Sequence, residues 1–256
     1  MTGLSSKVWK MLLGLAFLGL SQAGFGQTAD PGADEAQYSL EDIQGSQVQV
    51  LEKGADQWAA GEEGEILQSG DEVKVGEGSQ ATLMLGSDTS VQLAAGTDMT
   101  VHEIEPSPRG GFVSRLMLSA GNLLADVRKN LEESQSTFEV EAGGVVCGVR
   151  GTAFEVSAQG GEVETLTHEG TVDVKGADAD HLVDAGKAFS FRQGRFWRQR
   201  LLRREEMSRF QRWRAFRAQV FEKRRHRLEN IRRGLRKAWV RRALRRHRRQ
   251  EFLNRR

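Results

Sequence analysis

Apolar and polar residues alternate in short bursts along the middle of the chain. Val48 and Val50 alternate with Gln47 and Gln49, Leu83 and Leu85 with Thr82 and Met84, and Phe138 and Val140 with Glu139 and Glu141. Val73 and Val75 follow the turn-forming run Ser69-Gly70-Asp71. Period-two alternation bounded by Gly, Asp and Ser predicts half-buried strands joined by tight turns. Of the 29 glycines, 21 lie between Gly45 and Gly186, where tight turns would use their freedom of φ. Residues 45–191 therefore read as an all-β domain, either a sandwich of short strands or a solenoid-like stack. One stretch, Asn122 to Glu133, carries helix formers, but its neighbours Phe112, Leu116 and Leu118 alternate, which assigns it to strand.

The pattern changes after residue 191. Proline is absent, glycine nearly so, and Arg, Leu, Glu, Gln and Ala dominate. At 100° per residue, Leu202, Phe210, Trp213, Phe216, Val220, Phe221, Leu228, Ile231, Leu235 and Trp239 fall on one face, with arginines around the rest. Residues 192–256 are expected to form a long basic amphipathic helix. At the other end, Lys7 and Lys10 precede an apolar run from Met11 to Leu20, followed by small residues. That order predicts a secretory signal peptide over residues 1–26, cleaved after Ala23 or Gly26. Residues 27–44, with Asp30, Asp34, Glu35, Glu41 and Asp42, read as a flexible acidic spacer.

Charge sharpens this division. The whole chain is formally +2, yet residues 27–191 hold 9 basic and 30 acidic residues, net −21, and residues 192–256 hold 26 basic and 5 acidic, net +21. Of those 26 basic residues 24 are Arg, which grips phosphate and carboxylate in bidentate fashion. The tail thus reads as a contact for an anionic partner, through Arg209, Arg212, Trp213, Phe216, Arg217, Arg224, Arg225, Trp239, Arg241 and Arg242. Membrane phosphates are the first expectation, with the aromatics inserted. The alternative is a structural adaptor in which the helix pairs with an acidic protein surface, its own body or a partner's. Nucleic acid is disfavoured by the export signal.

Several ordered motifs in the body resemble the FecR domain family. Gly70-Asp71-Glu72-Val73-Lys74-Val75-Gly76 with Ser79-Gln80-Ala81-Thr82-Leu83 resembles its opening, Gly121-Asn122-Leu123 its central turn, and Arg150-Gly151-Thr152-Ala153-Phe154-Glu155-Val156 with Glu169-Gly170-Thr171-Val172 its ending. The resemblance implies an exported, all-β recognition module of the cell envelope. The family's best-known members are transmembrane anti-sigma regulators of iron transport. Here the apolar run sits at residues 11–20, with no cytoplasmic sigma-binding segment ahead of it. As the family's motif residues, Gly70, Asp71, Arg150, Gly151, Thr152, Phe154 and Gly170 are expected to preserve the fold; within Arg150-Gly151-Thr152, Gly151 itself would allow a bulge or kink.

Catalytic signals are weak. The single cysteine, Cys147, sits among valines and reads as a small buried hydrophobe. His102, His168 and His181 lack metal-ligand spacing. No phosphate loop or nucleophile elbow occurs. The sequence predicts a non-enzymatic module without cofactor or metal, partnered by an envelope protein or anionic lipid, and leaves its oligomeric state open.

Overall fold

The computed structural model describes residues 37–86, 89–106, 112–127 and 136–253, with side chains to residue 231 and at Arg233, apart from those of Pro106 and Phe112. The signal peptide expected over residues 1–26 lies outside the described residues. Among the described residues, seventeen strands form one continuous hydrogen-bonded sheet that folds into two layers. The chain begins in one layer with β1 (Tyr38–Gln44), crosses for β2 (Val48–Leu51) and β3 (Ala59–Ala60), and returns with β4 (Glu65–Leu67). It crosses again for β5 (Glu72–Val75), places β6 (Gln80–Leu85) and β7 (Thr89–Leu93) beside β1, and adds β8 (Thr97–Pro106) beside β5.

Strand β9 (Phe112–Asp126) belongs to both layers. Its first half pairs with β8, its second with β7. Gly121 makes the switch at φ 93°, where a Cβ would come 2.4 Å from the Thr97 Cα. From there the chain winds in hairpins, one layer then the other. The pairs are β10 (Thr137–Ala142) with β11 (Val145–Val149), β12 (Ala153–Gln159) with β13 (Glu162–Glu169), β14 (Thr171–Lys175) with β15 (Asp180–Asp184), and β16 (Lys187–Arg192) with β17 (Arg195–Leu201). Both sequence expectations are therefore met at once, because a sandwich is built by solenoid-like winding. One layer has the order β4-β1-β6-β7-β9-β12-β13-β16-β17, and the other β3-β2-β5-β8-β9-β10-β11-β14-β15. We call them the helix-side layer and the open layer.

A single core lies between them. Phe138 of the open layer meets Phe154 of the helix-side layer edge to face at 6.1 Å. The Tyr38 hydroxyl bonds Ser114 Oγ at 2.6 Å, and Cys147 Sγ lies 3.2 Å from Thr165 Oγ1. Burial pushes the Cys147 thiol up to about 12, so it stays protonated and packs as a hydrophobe.

Two expected boundaries move. The acidic spacer ends earlier than residue 44, since Tyr38–Gln44 is strand β1, anchored by fully buried Tyr38 and Leu40. Its carboxylates had masked that alternation. The β body also extends past residue 191: Arg195–Leu201 pairs with β16, and the helix, α1, spans Arg204–Leu253. In the ambiguous Asn122 to Glu133 stretch, residues through Asp126 are strand, and 128–135 lie outside the described residues.

The motif residues sit at corners of this winding. Asp71 accepts the backbone N–H groups of Lys53 and Gln68, each at 2.8 Å, which ties β5 to two turns. Gly151, at φ 66°, begins the crossing from β11 to β12. The Thr152 hydroxyl then donates to the Thr171 carbonyl at 3.0 Å, and a Cβ on Gly170 would press on that hydroxyl. Phe154 is core, and Arg150 is exposed.

Candidate functional site

Glu41, Glu155 and Glu164 stand on the outward side of their strands, so the alternation that buries Phe154 and Val156 turns Glu155 away from the core. On the helix-side layer that outward face is covered by α1. The helix starts at the β17 edge. Glu206, in its first turn, accepts the Arg203 backbone N–H at 2.6 Å, half of a capping box, and also grips Arg200 of β17 at 2.7 Å. Arg200 reaches Glu164 of β13 at 2.8 Å as well. Glu206 and Glu164 together raise the guanidinium above its ordinary range.

From that clamp α1 runs across the strands. Arg209 meets Glu155 of β12 at 2.6 Å, while Phe210 stacks on the His168 ring of β13 at 4.3 Å and 7°. Phe210 and Trp213 cluster with Leu124 and Ala153. Arg214 pairs with Glu169, and Arg217, 4% exposed, pairs with Asp126 of β9. At the far edge Lys223 contacts Glu63 at 2.5 Å and Asp42 at 3.3 Å, and Arg224 and Arg227 hold Glu41 of β1 at 3.2 and 2.8 Å. Residues 204–227 span about 36 Å at 1.5 Å per residue. Nine strands about 4.8 Å apart span about 38 Å. The first half of the helix therefore crosses the whole layer.

Glu155 is the most confined of these carboxylates, with 2% of its side chain exposed. Burial opposes its ionisation, but the His168 ring, the Arg209 guanidinium and the Asn122 amide outweigh it and hold the carboxyl below the usual range. His168 Nε2 lies 3.8 Å from it. Burial acts the other way on Arg224, which is lowered by desolvation against the pull of Glu41.

The predicted contact residues thus separate. Trp213 and Arg217 are buried against the body, Phe216 is half-buried, and Arg209 and Arg224 are paired with body carboxylates. Insertion of Trp213 into lipid is not compatible with this docking, because Leu124, Ala153 and Phe210 already cover the indole. Arg225 pairs within the helix to Glu222, and Arg212 is exposed. Trp239, Arg241 and Arg242 lie outside the described side chains. What the sequence reading missed is the receiving face: Glu41, Asp126, Glu155, Glu164, Arg200 and His168. Its signal was the outward register of acidic residues in alternating strands.

Beyond Arg227 the character changes. Leu228 and Ile231 are 44% and 41% exposed. Among the described residues, no hydrogen bond or ion pair from this part of the helix reaches the body; Arg233 pairs with Glu229 one turn away. An open depression of about 410 Å³ lies elsewhere, at one end of the sandwich, walled mainly by glycine and alanine.

Residues 71–173 match the family model described as FecR protein. Over these residues the chain is similar to FecR domains. FecR proteins are regulatory and envelope-associated, and among the described residues no helix is long and apolar enough to cross a membrane. Two crystal structures of a candidate anti-sigma factor from Parabacteroides distasonis ATCC 8503, at 1.65 and 2.50 Å, are similar at 18% identity with TM-scores of 0.43 and 0.42. Each similarity covers 51% of this chain and 59% of that one, so the chain spans less than two thirds of the solved neighbour. No curated protein matches the chain.

Proposed function

We propose that the protein is an exported, non-catalytic recognition or signalling module of the cell envelope, built on the FecR domain, whose Arg-rich helix attaches it to an anionic partner. The observation that carries this reading is the division within α1. In residues 204–227 six of nine basic side chains pair with carboxylates of the body. Residues 228–256 hold 12 basic and 2 acidic residues, net +10. That second half is the attaching arm. So large a one-signed charge favours an anionic counterpart through long-range attraction.

Membrane phosphates would engage the arm through its arginines and its exposed Leu228 and Ile231, without Trp213 and Phe216. A second reading, an acidic protein surface, is favoured by the first half of the same helix, which already lies on one. The common element is tested with a polyanion. Full-length protein should be retained on immobilised heparin until high salt, and the variant Arg241→Glu/Arg242→Glu should elute distinctly earlier. Equal retention of the two would remove the arm from the model.

A further inference from the structure

The sandwich has two outer faces, and α1 covers only one. On the open layer, residues in register form rows across the strands. One row runs Glu103, Arg115, Glu139, Gly148, Asp173, Leu182 over β8, β9, β10, β11, β14 and β15. The next runs Glu72, Thr100, Met117, Glu141, Val146, Lys175, Asp180 over β5, β8, β9, β10, β11, β14 and β15. Together they present six carboxylates against Arg115 and Lys175. Arg115 is already engaged, lying 3.2 Å from Glu103 and 2.8 Å from Glu139. Those two carboxylates share one guanidinium, so the face keeps a negative surplus.

We infer that the open layer's outer face is a docking surface for the second half of α1 from another copy of this chain. The inference rests on the reading of that half as an anion-binding arm and names its partner. Three observations carry it. The charges are complementary, net +10 on residues 228–256 against the carboxylate rows. The arm is long enough: residues 228–253 span about 39 Å as helix, against about 24 and 29 Å for the six- and seven-strand rows. And the protein already shows this contact once, because the first half of the same helix crosses the helix-side layer on Arg–carboxylate pairs.

The arm cannot reach that face in its own molecule. α1 is continuous from Arg204 to Leu253 and is pinned to the opposite side of the sandwich, leaving over the edge that β1 and β4 form. Each copy carries one arm and one open face, so reciprocal exchange between two copies closes a symmetric dimer with no arm left over. Met117, Val146 and Leu182, spaced among the carboxylates, lie where the arm's apolar stripe would pass.

Analytical ultracentrifugation of the full-length protein tests the inference, with the heparin experiment as its control. A dimer is expected at low salt, dissociating as salt rises. Reversal of the face in Glu141→Lys/Asp173→Lys, or of the arm in Arg241→Glu/Arg242→Glu, should each weaken dimerisation at least about tenfold. Circular dichroism should show both variants folded, since the substituted face positions lie outside the core. A monomer at low salt that still binds heparin would overturn the second-copy inference while leaving the anionic-partner reading intact. So would a dimer whose affinity neither variant changes. Flotation of a monomeric full-length protein on anionic vesicles, and not on neutral ones, would overturn it in favour of lipid. Loss of both dimerisation and heparin binding would bring down the two readings together.

Discussion

The two halves of α1 are close in composition and opposite in circumstance. Both are Arg-rich with aromatic and aliphatic residues on one stripe. In the first half, Arg217 is buried against Asp126 and Trp213 is 4% exposed, whereas in the second Leu228 and Ile231 stand in solvent. An arginine-rich amphipathic helix therefore does not define its own partner. The surface in reach decides: where a carboxylate face lies beside the chain, the arginines satisfy it, and where the face ends beyond β1 the charge is left over. The docked half joins apolar burial, with Phe210, Trp213 and Val220 all buried, to a row of ion pairs.

The largest effect should come from breaking that contrast at its most buried point. Arg217→Ala removes the partner of Asp126 and leaves a carboxylate facing an emptied, poorly solvated site, which costs about 3–5 kcal/mol. Urea unfolding measures it. Replacing both partners, Arg217→Met with Asp126→Leu, should recover most of the loss, because two apolar groups need no hydration. A loss under about 1 kcal/mol for Arg217→Ala would mean that Asp126 finds water on the helix-side face.

Next is the apolar contribution to docking. Trp213→Ala should destabilise by about 3 kcal/mol, since it empties the contact with Leu124 and Ala153. The same truncation at Leu228, 44% exposed, should stay within about 0.5 kcal/mol, as expected at the surface. Equal effects at both positions would erase the distinction between the halves.

Much of this was legible in the sequence, and the gaps have physical reasons. Alternation located several strands, β2, β5, β6, β9 and β10 among them, because one side of each faces the core, and the −21/+21 division located the helix. Strand β17 was read as part of the helical tail because edge strands need little apolar alternation, and Arg195–Leu201 has exposed residues on both sides. The receiving face could not be assembled, since Glu41, Asp126 and Glu155 come from β1, β9 and β12, brought together only by the winding. Gly70 in a turn and Gly151 at a strand interruption were legible as structural because positive φ at a corner is a local demand.

Acid should loosen the docked half before it touches the second half. Glu155 has its folded pKa lowered below its unfolded value, with burial outweighed by the His168, Arg209 and Asn122 contacts. A depressed carboxylate contributes its full stability above the unfolded value, about 4.3 for Glu, and loses it as pH falls through the lower folded value. The thermal midpoint should therefore drop on acidification through that window. Glu155→Gln should flatten that part of the profile while lowering the midpoint at neutral pH. A wild-type profile with no acid limb that the substitution alters would separate Glu155 from the clamp.

The smallest effect tests the comparison within the first half itself. Arg214 and Glu169 pair one turn from Arg217, but their side chains are 47% and 51% exposed, against 4% and 9% for Arg217 and Asp126. Water solvates both members of the exposed pair after either is removed, and salt screens what attraction remains. Arg214→Ala should cost between zero and about 1 kcal/mol in low salt and become indistinguishable from wild type at high salt. Arg217→Ala should keep most of its effect across the same salt range, because the penalty there is an uncompensated buried charge. Parallel salt dependence of the two variants would mean that Arg217 is as hydrated as Arg214. The docked half would then be a screened electrostatic contact along its whole length, held in the same way as the arm.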